Sequence, residues 1–334
     1  MRIAVIGAGN WGTALAIIAA RAGHDVSVWS RNAAVVKSIN SRHENSDYLA
    51  GARILETVRA TEKIGEALEG AKLIILAAPS HATRQVLESM SSVLLPGPII
   101  VSATKGIEIE SGKRVSQIVA DVLPESLATR FVCLSGPSFA SEVVENHPTA
   151  IVAASPDAEA ARVVQSKLSF ENLRIYTNDD LVGTELGGSV KNVMAIAAGM
   201  LAGLGFGANS IAALITRGLA EMTRLALREG AKVETMMGLA GLGDLVLTCT
   251  GSLSRNRYVG EELGKGRSLE EIVAGMKEIA EGVNTTRAVK RLADRLGVEM
   301  PITSEVQAVL DERKSARDAT VELMRRPLRM EANW

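Results

Sequence analysis

The first half of the chain alternates short β-branched apolar runs with amphipathic stretches of helical period. Arg2–Ile6, His24–Trp29, Lys72–Ala78, Pro98–Thr104, Phe131–Ser135, Thr149–Ala154 and Leu173–Tyr176 have strand length and composition. Stretches such as Thr13–Arg21 and Asp157–Leu168 carry the helical spacing between them. Strands and helices in alternation to about residue 180 predict an α/β domain built on a doubly wound, parallel sheet. From Leu181 onward only helical periodicity is visible, as in Ile211–Arg228, so the second domain should be mainly α. The polar turn Thr177-Asn-Asp-Asp180 sets the expected boundary, giving domains 1–180 and 181–334.

One helical stretch, Thr184–Met200, stands out. Leu186, Val190, Val193, Met194, Ile196, Ala197 and Met200 make an apolar face, and one cation, Lys191, sits among them beside Asn192. Gly187, Gly188 and Gly199 leave room for a close approach to the backbone, at a cost in helix propensity. A lone lysine there could simply snorkel to water. Its neighbours elsewhere in the chain argue for chemistry.

Gly7-Ala-Gly9-Asn10-Trp11-Gly12 follows the first strand and opens the first helix. In that context the G-x-G-x-x-G spacing is a dinucleotide-binding (Rossmann) fingerprint. Gly7 permits the tight turn, Gly9 admits a pyrophosphate to the backbone, and Gly12 lets helix and strand pack closely. The helix N-terminus supplies unpaired N–H groups and positive potential. An NAD site usually places an acidic residue after the second strand for the ribose hydroxyls; here Arg31 stands there, suited to a 2′-phosphate or simply to solvent.

The bulk numbers exclude several classes. The 334 residues are 47% hydrophobic with a net charge of -1, so no basic surplus attracts nucleic acid. No apolar run suggests a membrane span, and Met1 leads straight into a strand, so no leader is expected. Cys133 and Cys249 are too few for a disulfide framework, which fits a reducing cytoplasm. Neither they nor the 4 histidines have metal-ligand spacing, so no metal is expected.

Further candidates lie on turns. His81 and Lys105 each follow the carboxyl end of a strand; His81 reads best as a turn cap, Lys105 as a contact to substrate or cofactor. Ser138, in Gly136-Pro-Ser138-Phe-Ala140, could hold an anion or act as an N-cap. Met237–Cys249 is a Gly-spaced turn that positions Asp244, and Ser254-Arg255-Asn256 offers a guanidinium fork and an amide. Glu281 is either a helix-end charge or a nucleotide contact.

Six blocks then occur in one order: Gly7–Ala14, Ala103–Gly106, Ser135–Ala140, Lys191–Gly199, Gly241–Leu245 and Ser254–Asn256. Together they resemble the bacterial NAD(P)-dependent glycerol-3-phosphate dehydrogenases and span almost the whole chain. The resemblance implies reversible reduction of dihydroxyacetone phosphate to sn-glycerol 3-phosphate, a phospholipid precursor, by a cytoplasmic homodimer. It also implies a helical domain of the 6-phosphogluconate-dehydrogenase type. By the same resemblance Lys191 is the catalytic residue, and Lys105, Gly136, Ser138, Lys191, Asp244, Ser254, Arg255 and Asn256 bind substrate. Gly7, Gly9, Asn10, Trp11, Gly12, Arg31, Lys105, Ala140, Arg255, Ile279 and Glu281 meet NAD or NADP, with Arg31 favouring NADPH.

Chemically, the Lys191 ammonium would stabilise charge on the ketone oxygen and deliver its proton, while Asp244 orients that ammonium or binds a substrate hydroxyl. Burial should lower the lysine's pKa and a nearby Asp244 should raise it. Two rivals fit the same plan: a β-hydroxyacid or sugar-acid dehydrogenase, and a non-catalytic nucleotide sensor. Lys191, Asn192 and Asp244 together speak against the sensor.

Overall fold

A computed structural model of the chain describes residues 1–276, 280–328 and 330–331. Among the described residues are ten strands: β1 (Arg2–Ile6), β2 (Asp25–Trp29), β3 (Glu44–Asn45), β4 (Leu49–Arg53), β5 (Arg59–Thr61), β6 (Leu73–Leu76), β7 (Ile99–Ser102), β8 (Val132–Ser135), β9 (Thr149–Ala154) and β10 (Leu173–Asn178). Eight of them form one sheet in the order β10-β9-β8-β7-β6-β1-β2-β5. Strands β6, β7 and β8 are buried at every position, which is why they read as continuous apolar runs without alternation. Successive side chains nevertheless feed opposite faces. Ile3, Val5, Leu73 and Ile75 join the core shared with the helix Asn10–Arg21, whereas Ala4, Ile6, Ile74 and Leu76 join the core around Leu87 and Ile118.

The sheet is not wholly parallel. Strands β8 and β9 pair antiparallel, and β9 and β10 run parallel to each other. The β8–β9 connection holds only the five-residue helix Ala140–Val144, whereas the β9–β10 connection holds the eleven-residue helix Ala158–Leu168. A full crossover returns the chain to start a parallel neighbour; the shorter one does not. Strands β3, β4 and β5, absent from the sequence reading, are short and lack apolar alternation.

Two compact units result: Met1–Thr104 with Arg114–Leu181, and Lys105–Lys113 with Val182–Trp334. The divide thus falls one residue past the expected 180, and Lys105–Lys113 folds with the second unit. From Val182 on, every regular element among the described residues is a helix.

The second unit is built around the helix Leu181–Gly203, whose residues from Gly183 to Met200 are all buried. By length and composition alone it could cross a membrane, but most of its apolar stretch is buried inside the protein. It is a core helix. Met222, Leu225, Leu245, Val259, Val283 and Val289 share its core. The helix Arg255–Gly264 crosses it through glycines: a Cβ on Gly199 would lie 2.0 Å from the Arg257 carbonyl oxygen, and one on Gly260 would lie 1.9 Å from that of Ile196. Gly203 and Gly264 repeat the contact one turn further on. What approaches the backbone at Gly199 is therefore another helix. At Gly187 the neighbour is the Ala240 carbonyl, 2.5 Å from where a Cβ would stand.

Candidate active site

Lys191 projects from the buried helix onto Asp244. Its Nζ donates to Asp244 Oδ1 at 2.6 Å and to Thr248 Oγ1 at 2.7 Å. Lys105 Nζ donates to the other oxygen, Oδ2, at 2.6 Å. The Thr248 hydroxyl donates in turn to the Asp244 main-chain carbonyl at 2.7 Å. Asp244 is fully buried, while the Lys191 and Lys105 side chains keep 9% and 16% of their surface. One carboxylate between two ammonium groups leaves the node with a positive excess when both lysines are protonated. That suits an oxygen acquiring negative charge.

Local sequence explains the placement. Before Asp244 the chain makes a π-helical turn, Leu239–Gly243, and a Cβ on Gly241 would collide with the Met236 carbonyl at 2.1 Å. The turn delivers Asp244 to the start of the helix Asp244–Thr250, and Thr248 follows one turn later on the same face.

Lys191 is held down to about 8 from an ordinary 10.5, chiefly by burial; Lys105 lowers it further and Asp244 opposes both. Of the two opposing effects expected from the sequence, desolvation wins. The neighbouring Cys249 thiol is pushed up to about 12 by its own burial, so it stays protonated and inert near neutrality.

A second network adjoins this node. Asn256 Nδ2 donates to Asn192 Oδ1 at 3.0 Å, and Asn256 Oδ1 accepts the Gly282 N–H at 2.8 Å. Asn256 thereby caps the first turn of the helix Glu281–Leu296 from a distance, and a Cβ on Gly282 would strike its Oδ1 at 2.7 Å. Ser254 is the N-cap of the helix Arg255–Gly264, accepting the Arg257 N–H, and Arg255 is its exposed first residue. Glu281 is half-buried in the first turn of its own helix, where a carboxylate complements the positive end. Ile279 lies outside the described residues. The structure thus brings Lys105, Lys191 and Asp244 into one node and joins Asn192, Asn256 and Gly282 beside it.

The first unit carries the remaining candidates. Gly7 has φ +118°, and a Cβ there would stand 2.7 Å from the Ala77 carbonyl. On Gly12 it would stand 2.0 Å from the Gly7 carbonyl, whereas on Gly9 it would meet nothing within 4 Å. The turn is therefore closed where helix and strand pack and open where a pyrophosphate would approach, the division of roles a dinucleotide needs. Asn10 is exposed, Trp11 is half-buried against the sheet core, and Arg31 is exposed just past β2. Gly136 is buried with φ +135°, and Ser138 donates to its carbonyl at 3.1 Å. Ser138 is not an N-cap, because the cap of the next helix is Phe139 and Ala140 begins that helix.

Sequence reasoning passed over Thr248. Its one available signal was the spacing of four from Asp244 on a helix, a pattern too common to single out without Lys191 in view.

The family model described as NAD-dependent glycerol-3-phosphate dehydrogenase N-terminus matches residues 2–161, and the corresponding C-terminus model matches 180–321. An NAD(P)+ glycerol-3-phosphate dehydrogenase of Koribacter versatilis is 52% identical over 328 residues, covering 98% of this chain and 97% of that one. One of Geobacter sulfurreducens is 50% identical over 330 residues, covering 99% and 98%. The crystal structure of glycerol-3-phosphate dehydrogenase from Coxiella burnetii superposes with TM-score 0.93 at 40% identity, covering 97% of this chain and 99% of that one.

Proposed function

This chain belongs to the NAD-dependent glycerol-3-phosphate dehydrogenase family, and from that premise we propose how its own residues carry out the reaction. It interconverts dihydroxyacetone phosphate and sn-glycerol 3-phosphate using NAD or NADP. The carrying observation is the buried Lys191–Asp244–Thr248 node, in which an ammonium is held by two acceptors and its pKa lowered to about 8.

The nicotinamide, when bound, supplies or accepts the hydride. Gly7, Gly9 and Gly12 would hold its pyrophosphate, with Asn10, Trp11, Arg31, Ala140 and Glu281 along the rest of the nucleotide. Lys191 holds a proton at the ketone oxygen and releases it as charge develops there; in the reverse direction its neutral amine accepts the hydroxyl proton. Asp244 fixes the direction of that ammonium, and Thr248 fixes the second of its three donors. A pKa near 8 keeps both forms populated close to neutrality, which a reversible proton carrier requires.

Lys105 adds a second positive charge at the same carboxylate and binds substrate oxygen. Arg255 holds the phosphate by its planar fork, with Ser254 and Asn256 shaping the turn that presents it. Gly136 and Ser138 contribute a backbone group and a hydroxyl. Arg31 at the end of β2 favours NADPH by pairing with a 2′-phosphate. Under the same reading the enzyme is a cytoplasmic homodimer that supplies glycerol phosphate for phospholipids.

The test is turnover of dihydroxyacetone phosphate followed by loss of nicotinamide absorbance, with NADH and NADPH separately. Lys191→Ala should lower kcat by about 10² to 10⁴ while nucleotide affinity stays near wild type. Near-normal turnover in that variant would remove Lys191 from the mechanism.

A further inference from the structure

The glycine-rich turn is held from outside by a residue far away in sequence. Asn45 is 1% exposed and lies on the two-stranded ribbon β3–β4. Its Nδ2 donates to the Ala8 carbonyl at 2.8 Å, across 37 residues of chain, and to Thr13 Oγ1 at 2.8 Å. The Thr13 hydroxyl itself donates to the same Ala8 carbonyl at 3.3 Å. Ala8 is the middle residue of Gly7-Ala8-Gly9, so two side chains converge on one oxygen of the turn.

A peptide unit is planar and trans, and its C=O and N–H therefore point in opposite directions. Pinning the Ala8 carbonyl toward Asn45 aims the Gly9 N–H the other way. Gly9 is the position where a Cβ would have no neighbour within 4 Å. We propose that Asn45 is a positioning residue for nucleotide binding: by holding the Ala8 carbonyl it presents the Gly9 N–H to the pyrophosphate of the dinucleotide. This rests on the NAD(P) reading above.

The orphaned half of the amide supports the assignment. Asn45 Oδ1 is buried and has no hydrogen-bond partner among the described residues. Such an acceptor costs free energy, so the side chain is not held there by its oxygen. Turning the amide over would set Oδ1 against the Ala8 carbonyl, acceptor against acceptor. The ribbon keeps the side chain at this depth: Ser38 Oγ donates to the Glu44 carbonyl at 2.8 Å and the Ile54 N–H to that of His43 at 2.8 Å.

The experiment compares steady-state kinetics of the full chain with Asn45→Ala and Thr13→Val, the second retaining side-chain shape while removing the hydroxyl. Asn45→Ala should raise the KM for NADH and NADPH about three- to tenfold, the worth of one or two hydrogen bonds. Its kcat at saturating nucleotide and its KM for dihydroxyacetone phosphate should stay within about twofold of wild type. Thr13→Val should move the same constant in the same direction, and it carries the test if Asn45→Ala does not fold. A lowered Tm or a smaller active fraction with nucleotide KM unchanged would overturn the proposal and leave Asn45 a stabilising residue only. Wild-type protein that neither binds nor uses either nucleotide would instead overturn the parent reading.

Discussion

Lys105 and Lys191 contact opposite oxygens of a single carboxylate, Asp244, each at 2.6 Å. Asp244 raises the pKa of Lys191 and Lys105 lowers it, so a change at either residue shifts the titration of Lys191.

The pH dependence of turnover follows. In the proposed mechanism ketone reduction uses the Lys191 ammonium, so its rate should fall as pH rises through about 8, while alcohol oxidation, which uses the amine, should rise over the same interval. Asp244 raises this pKa, so Asp244→Asn should move both limbs to lower pH and reduce kcat in each direction. Parallel pH–rate profiles for the two proteins test this; superimposable midpoints would rule Asp244 out as the lysine's electrostatic partner. The effect on stability has its own sign. The unfolded chain keeps this proton to about 10.5 and the folded chain to about 8, so the group's contribution to stability grows as pH rises between those values.

Arg255 should act on binding more than on the chemical step. Arg255→Ala is expected to raise the KM for dihydroxyacetone phosphate by at least about tenfold, the loss of a charge-assisted contact, with a smaller change in kcat. Initial-rate measurements over a range of substrate decide it, and an unchanged KM would refute the phosphate assignment.

The glycine crossing sets how near the Arg255–Gly264 helix can come to the Lys191 helix. In Gly260→Ala the new Cβ would stand 1.9 Å from the Ile196 carbonyl oxygen, and the backbones must part. The expected loss is about 3 kcal/mol, at the upper end of overpacking costs, with impaired turnover as Ser254, Arg255 and Asn256 are displaced. Gly65→Ala is the control: a helical position where a Cβ meets nothing within 4 Å, expected to gain about 0.4–1 kcal/mol. Denaturant melts of both variants give the comparison.

Glu221 predicts a separate pH effect on stability. Buried in the helix Ala208–Arg228, its carboxyl accepts the N–H groups of Ile302 and Thr303 and the Thr303 hydroxyl, capping the helix Pro301–Leu310. Burial raises its pKa from 4.5 to about 7 against these donors and the nearby Arg224. The folded state holds the proton more tightly, so its contribution is full below pH 4.5 and is lost as pH climbs through about 7. The slope approaches about 1.4 kcal/mol per pH unit between those values. Glu221→Gln should flatten that segment of the Tm–pH curve, and an unchanged curve would show that the carboxyl stays ionised throughout.

Local chemistry made much of this protein legible in its sequence. The strand–glycine–helix order at Gly7–Gly12, the apolar strands of the sheet, the helical second half and the lone cation at Lys191 follow from side-chain size, spacing and polarity over a few residues. The order of the motif blocks pointed to the family. Three things depended on tertiary structure. The reversed direction of β9 and β10 is invisible to hydrophobic pattern, because a buried strand reads alike in either direction. The convergence of Lys105, Lys191, Asp244 and Thr248 joins segments up to 139 residues apart, and the hold of Asn45 on Ala8 spans 37. Finally, the contest between burial and Asp244 for the Lys191 proton was decided by how completely the helices close around the ammonium. Pattern fixes which residues are able to meet; packing alone determines the distances and the solvent exclusion that give those meetings their energy.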